Sequence, residues 1–234
     1  MSLDIKIPVS LRDIPLYKWQ KYSEILKKNK DAEDTTFLNL KTLEIFCDLK
    51  MKDIHDIPLT DFDEILEHIS QIFTFDTPRV NHFRLRDEKG VEVEFGLIPN
   101  LDKMTYGEYR DLEDYIYDEK NLHRAMAVLY RPLMYKKKDR YMIHPYKGTD
   151  EMAEIMKSTP LDVVFGVRVF FYSLAKKLGV YTLDYTLQQL LNKKEANSEH
   201  HSEKSGEDIK HFIHSHREML AELMKLQEFH STNV

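Results

Sequence analysis

Residues 160–180, PLDVVFGVRVFFYSLAKKLGV, constrain the fold more than any other stretch of this chain. From Val163 to Phe171 only Gly166 and Arg168 interrupt a continuous run of apolar side chains. Leaving such surface in water costs about 25 cal/mol per Å², so the run must be covered. A bilayer is a poor cover. Asp162, Arg168 and the lysines at 176–177 break the run, and its uncharged part falls short of the roughly 20 residues that a span needs. The expectation is a buried helix started at Thr159 and Pro160 and ended by Gly179. Arg168 must then meet a carboxylate or emerge at an interface, because stripping a buried charge of its partner costs about 3–5 kcal/mol.

What surrounds this helix follows from periodicity and punctuation. Leu3, Ile5, Ile7 and Val9 alternate with polar residues or proline, the period of a half-buried strand, and MSLDIKIPVS lacks the basic start and apolar run of a signal peptide. In RDIPLYKWQKYSEILKK, Asp13 is placed to cap a helix with Pro15 in its first turn, and Trp19, Tyr22, Ile25 and Leu26 give it an inner face. A second helix over roughly 35–50 turns Phe37, Leu40, Leu43, Phe46 and Cys47 inward. A second DIPL at 56–59 introduces TDFDEILEHISQIF, with Thr60 as its cap. The residues flanking the two DIPL copies do not repeat, so they read as shared helix punctuation.

VNHFRLRDEKGVEVEFGLIP reads as a β-hairpin closed by Gly90, with Val91, Val93, Phe95 and Leu97 on one face. Thr105 and Glu108 have the spacing of a capping box, and helices over 106–117 and 119–130 follow, the second with Leu122, Ala125, Met126 and Leu129 inside. RPLMYKKKDRYMIHPYKG is a second hairpin with a charged tip at 136–140. Thr149 and Asp150 start a short helix to Lys157, and residues 181–192 add a last turn-rich helix. The segment NKKEANSEHHSEKSGED has almost nothing to bury, which marks a flexible linker over 193–206. Beyond it Ile209, Phe212, His216, Met219, Leu223 and Leu226 fall at three- and four-residue steps, an amphipathic helix over 207–234. The fold class is α+β, predominantly helical, with short antiparallel β-hairpins and a separate C-terminal amphipathic helix. Its parts are an N-terminal strand plus helices (1–77) and a hairpin and helical body (78–192), which can form one domain.

Composition narrows the chemistry. A formal charge of −6 gives no general attraction to nucleic acid or anionic membrane. The single cysteine excludes an internal disulfide and any cysteine-based zinc set, and LEIFCDL makes Cys47 a small core residue of a reduced, intracellular protein. Seven glycines leave little material for loops that cradle phosphate. No Walker loop, strand-borne GxGxxG, GxSxG elbow, kinase or deaminase motif occurs. Neither enzymatic activity nor a cofactor is expected.

Three groups of residues nonetheless bear on function. Glu108, Asp111, Asp114 and Asp118 lie on one helical flank, where they can form a metal or acid–base site but read better as a solvated face. His200, His201, His211, His214, His216 and His230 crowd the C-terminal region without an HExxH motif. Arg131, Lys136, Lys137, Lys138, Arg140 and Lys147 gather positive charge around Tyr130, Tyr135, Tyr141 and Tyr146. That pattern suits DNA, an acidic protein partner, or simple protection of a sheet edge.

FGLIPNLDKMTYGEYRDLEDYI, with NLHRAMAVLYRPL, the apolar segment from 160 and the upstream KTLEIFCDLKMKDIHDIPLTDFDEI, resembles small proteins of tailed bacteriophages, including crAss-like phages of gut Bacteroidales. The resemblance covers roughly residues 35–190 and carries no catalytic motif. It implies a non-enzymatic virion or assembly protein: a neck, tail or capsid-interior component, or a tail-assembly chaperone, in the virion or in the host cytoplasm during assembly. The implied partners are other phage structural proteins, with self-association and DNA contact through hairpin 131–147 as further readings and no membrane. A metal-dependent hydrolase is the enzymatic alternative. For partner docking the candidates are Tyr106, Tyr109, Asp111 and Asp114 in the body, and Ile209, Phe212, His216, Met219, Leu223 and Leu226 in the C-terminal helix.

Overall fold

Two prolines decide where the N-terminal helices start. In the computed structural model, which describes residues 5–30, 34–87, 89–138 and 140–171, each DIPL copy puts its proline at the cap position. The backbone there is extended (φ −74°, ψ 149° at Pro15; φ −54°, ψ 142° at Pro58), and leucine opens the helix. Proline suits this place because it has no amide hydrogen to leave unsatisfied. Helices α1 (Leu16–Lys28) and α4 (Leu59–Ile72) begin this way, with α2 (Thr36–Phe46) and the short α3 (Met51–Ile54) between them. The repeat is helix punctuation, as its sequence suggests.

The residues expected to cap these helices do something else. Asp13 accepts the amides of Val9 and Ser10, each at 3.0 Å, and closes a 3-10 turn at Leu11–Asp13. Thr60 lies inside the first turn of α4, where its hydroxyl donates to Asp61 at 3.3 Å. With proline fixing the entry to each helix, Asp13 and Thr60 are each two positions out of register for capping. The expected N-terminal strand is not formed over residues 5–8. Pro8 has no ladder donor to offer, and the Asp13 turn takes the next two amides.

One antiparallel sheet holds β1 (His82–Arg86), β2 (Glu92–Leu97), β3 (Tyr130–Lys137) and β4 (Arg140–Ile143) in that order. At the first turn Gly90 takes φ 78°, and the Asp87 carboxylate accepts the amides of Lys89 (2.9 Å) and Val91 (2.8 Å). The register sets Phe83 opposite Phe95 and Leu85 opposite Val93, so one face buries Phe83, Leu85, Phe95 and Leu97 with Tyr130. The ring of Phe83 stacks on Phe95 (5.7 Å) and meets Tyr130 edge-on (4.9 Å). Val91, expected on this face, is 57% exposed because it belongs to the turn and precedes the ladder. Strand β3 pairs with β2 through Tyr130–Pro132 and with β4 from Leu133 onward, and the register shifts between Leu133 and Tyr135. Such a bulge bends the strand.

Helices α5 (Tyr106–Tyr115), α6 (Leu122–Leu129), α7 (Asp150–Met156) and α8 (helical over 161–171) complete the described structure. The Thr105–Glu108 capping box forms: the Thr105 hydroxyl accepts the Glu108 amide (3.3 Å) and the Glu108 carboxylate accepts the Thr105 amide (2.6 Å). Helices α5 and α6 are shorter than the sequence suggests because Asp118 makes a turn between them. Its carboxylate accepts the Lys120 amide (3.0 Å) and the Asn121 side chain (2.6 Å). The inner residues of α6, Leu122, Ala125, Met126 and Leu129, are fully buried.

The apolar helix is covered as the sequence demands through Val167, whereas Val169, expected inside, is 53% exposed. Leu161, Val163, Val164 and Val167 are fully buried, and Phe165 meets the Trp19 ring edge-on at 5.2 Å. Paired main-chain bonds, Leu161 N–H to Ile14 O and Leu16 N–H to Thr159 O (both 2.9 Å), join the entries of α8 and α1. A Cβ at Gly166 would stand 2.4 Å from the Pro78 carbonyl oxygen, so only glycine allows this approach of helix to loop. Arg168 finds its carboxylate in Glu119, 2.7 Å away, with the two side chains 9% and 8% exposed. The other oxygen of Glu119 accepts the Trp19 indole N–H at 2.9 Å. Cys47 is buried, and burial pushes its thiol up to about 11, which suits a core residue and not a nucleophile. Phe37, expected inside, is exposed on the first turn of α2, with the Lys41 ammonium 5.6 Å from its ring centre.

The chain divides into a compact unit, Met1–Arg168, and a second unit, Val169–Val234. The N-terminal helices and both hairpins belong to the first, while residues 169–192 of the body expected over 78–192 fall in the second. The turn-rich helix at 181–192, the linker at 193–206 and the amphipathic helix at 207–234 lie outside the described residues, as do the C-terminal histidines. Among the described residues no helix is long and apolar enough to cross a membrane.

Candidate functional site

The second hairpin makes the most developed surface feature. Because β3 bends at its bulge, β4 is carried toward the end of β2: the Tyr141 hydroxyl donates to the Leu97 carbonyl (2.7 Å) and its ring lies 4.3 Å from that of His82. Gly96 makes room for this crossing, since a Cβ there would meet Leu133 at 2.6 Å and Tyr141 at 2.9 Å. Between β4 and the chain at the foot of the first hairpin runs an open groove of about 640 Å³. Leu97, Ile98 and Pro99 line one part of it, Arg79 and Asn81 another, and Tyr135, Arg140, Tyr141 and Met142 come from the second hairpin. Tyr135 and Met142, opposite each other in the ladder, are both more than half exposed.

His82 lies beneath this crossing. Its Nε2 is buried without a hydrogen-bond partner, and burial, followed by the Lys136 charge, lowers its pKa from the ordinary value. Its surroundings favour the neutral ring, which packs edge-on against Tyr141.

The basic residues singled out in the sequence part company here. Arg131 is buried and ion-paired with Glu108 at 2.7 Å, beneath the Tyr146 ring. Lys136 reaches back across the sheet to Glu94 at 2.6 Å. Those two positive charges are matched within the protein. Lys137, Lys138 and Arg140 remain exposed around the hairpin tip, and Lys147 is exposed in the loop that follows β4. The tip is where the cationic character survives.

The acidic row does not converge. Glu108 is buried, so its expected place on a solvated face is wrong: the capping box and Arg131 together draw it inward. Asp111 accepts a short hydrogen bond from the Tyr146 hydroxyl, and burial and this bond, in that order, raise the tyrosine's pKa. Asp114 is exposed with Arg110 at 3.6 Å, and Asp118 serves its turn. Among the described residues no three His, Cys, Asp or Glu side chains are placed to hold a metal ion.

What α5 presents outward is aromatic. Tyr106 is 79% and Tyr109 53% exposed, and Tyr117 beyond the helix end is also exposed. The inner side of α5 is fixed by the capping box, the Arg131–Glu108 pair and the Tyr146–Asp111 bond, so the outer tyrosines stand on a held base. Of the docking candidates, Tyr106, Tyr109 and Asp114 lie at the surface and Asp111 is turned to an internal partner. Ile209, Phe212, His216, Met219, Leu223 and Leu226 are outside the described residues. Set against protein-family models, curated proteins and solved structures, the chain matches none.

Sequence reasoning missed Arg79, Asn81 and Met142 as parts of a shared groove. No local pattern marks them, because they meet only when the bulged hairpin folds back. The bulge itself had a weak signal in MYKKK, where apolar alternation stops in mid-strand.

Proposed function

We propose that this chain acts by protein–protein contact in the assembly of a tailed-phage particle, without catalysing a reaction. The observation that carries this reading is the α5 surface, where Tyr106 and Tyr109 project from a helix whose opposite side is pinned by a buried ion pair and a half-buried hydrogen bond. Exposed tyrosines on a rigid support give large contact area at low entropic cost, and tyrosine is enriched among residues that dominate interface energies. The resemblance of residues 35–190 to tailed-phage proteins supplies the setting: a neck, tail or capsid-interior component, or a chaperone of tail proteins.

Mass spectrometry of purified particles tests the setting. A resident subunit is expected at fixed stoichiometry, and a chaperone is expected in lysates bound to a particle protein but nearly absent from finished particles. Loss of the protein with no change in particle yield or composition would sink the reading. Paired Tyr106→Ala and Tyr109→Ala replacement tests the surface, with loss of partner capture expected while the fold is kept.

A second reading, DNA contact through hairpin 131–147, draws on the exposed Lys137, Lys138 and Arg140 beside Tyr135. It is weakened by the internal pairing of Arg131 and Lys136. It requires affinity that falls steeply with salt and is lost when Lys136, Lys137 and Lys138 become glutamate.

A further inference from the structure

Two exposed surfaces of this chain carry opposite halves of one contact. The outer side of α5 is aromatic and acidic. Tyr106, Tyr109, Glu113 and Tyr117 recur at steps of three or four residues, so they share one face of the helix and the turn that follows it. Glu113 and Asp114 have a single arginine between them, Arg110, at 2.6 and 3.6 Å, and both carboxylates are about half exposed. The tip of the second hairpin is the counterpart. Lys137, Lys138 and Arg140 are exposed there, and none of the three forms an ion pair with a described residue. Tyr135 and Met142, opposite each other in the ladder, add exposed apolar surface beside these cations. Resting on the reading of α5 as a protein-contact surface, we propose that its occupant is a second copy of this chain, which lays its hairpin tip along the helix.

The two halves match in charge and in character. Unbalanced cations at the tip meet a face with one carboxylate more than its arginine neutralises. Arg140 is shaped for paired hydrogen bonds to such a carboxylate, and the lysines suit the faces of exposed tyrosine rings. The thioether of Met142 is a favourable neighbour for the same rings. Within one chain the halves do not meet. Lys138 lies seven residues beyond Arg131, which is fixed to Glu108 of α5, and an extended strand of that length spans about 20 Å. On the way Lys136 ties the strand to Glu94 of β2. The pairing is therefore between chains, which either exchange tips or join head to tail.

Another acidic face fits the tip less well. The outer side of α4 exposes Asp61, Asp63, Glu64 and Glu67, but no exposed ring within that helix awaits Tyr135 and Met142. The formal charge of −6 opposes indiscriminate association of copies, so the contact depends on these local patches.

Sedimentation velocity on the full chain tests the contact, over concentrations from about 1 to 100 μM. The average mass is expected to rise across this range. Lys137→Glu with Lys138→Glu in one variant, and Glu113→Lys with Asp114→Lys in another, are each expected to weaken association by about tenfold or more, because like charges then face each other. Mixing the two variants is expected to restore it, since the reversed tip of one meets the reversed face of the other. Misfolding gives no such rescue, and circular dichroism checks both folds. Arg140→Gln and Tyr109→Leu, milder changes on either side, are expected to weaken association by about threefold. Glu64→Lys with Glu67→Lys in α4 is expected to leave it unchanged. Each of these results would overturn the proposal: a chain that stays monomeric throughout, association indifferent to both reversals, folded variants that stay apart when mixed, or association lost on reversing the α4 acids. Association that obeys the charge swaps in a protein with no effect on particles keeps the contact and loses the phage setting. Capture of a different particle protein through Tyr106 and Tyr109 by a chain that stays monomeric keeps the setting and loses the contact.

Discussion

Between Asp87 and Gly90 the first hairpin closes on a glycine at φ 78°, buttressed by an aspartate, and buries Phe83, Leu85 and Phe95 on one face. The second hairpin turns with Lys138 at φ 52°, a conformation that a side chain resists, and leaves Met134, Tyr135 and Met142 exposed. Both are antiparallel pairs in one sheet. The first has its turn chemistry and its pattern in agreement, as expected of a scaffold, whereas the second departs from both at the place where the groove lies. Departures of this sort collect where a surface is used.

The contrast is sharpest in the core. Phe95→Ala is expected to cost about 3–5 kcal/mol in chemical denaturation. Met142→Ala, on the second strand of the other hairpin, should stay within about 0.5 kcal/mol. Similar losses for the two would erase the distinction between scaffold and surface. Gly96→Ala attacks the joint between the hairpins, because the new methyl must displace Leu133 and Tyr141. A loss of about 1–3 kcal/mol is expected, with the ring resonances of Tyr141 and His82 moving together in NMR spectra. Smaller still are the turns. Gly90→Ala should destabilise by about 1–2 kcal/mol, and Lys138→Gly should be neutral or stabilising by up to about 1 kcal/mol.

The smallest effect is with pH. Burial holds His82 and His123 below the ordinary value of 6.5, so as pH falls the unfolded chain takes up protons first. The stabilisation from these two groups is full above about pH 6.5 and declines below it, levelling only beneath their folded values. Melting temperatures between pH 7.5 and 5 measure the slope, and His82→Gln with His123→Gln should flatten it.

Much of the frame could be read from the chain. Gly90 announced its turn, Thr105 and Glu108 their capping box, and Arg168 its need for a carboxylate, because each signal depends on neighbours a few residues away or on a cost that must be met somewhere. The partner of Arg168 could not be named in advance: Glu119 is one acid in a stretch full of them, and only the fold brings it to the helix. The same holds for Arg131 and Glu108, which read as members of a basic cluster and an acidic row and turned out to neutralise each other. Charge composition shows what must be balanced and not where. The groove was the least legible part, since its walls come from residues around 79, 97 and 140, joined by a bulge that one register shift creates.

Gly166 carries a consequence for that groove. Its missing side chain lets the carbonyl of Pro78 rest against the helix backbone, and Pro78 is the residue before Arg79. The arginine at the rim is therefore levelled against the interior helix by a main-chain contact. Adding a single methyl group in the core at 166 would push this loop away and displace an arginine that the substituted residue never touches.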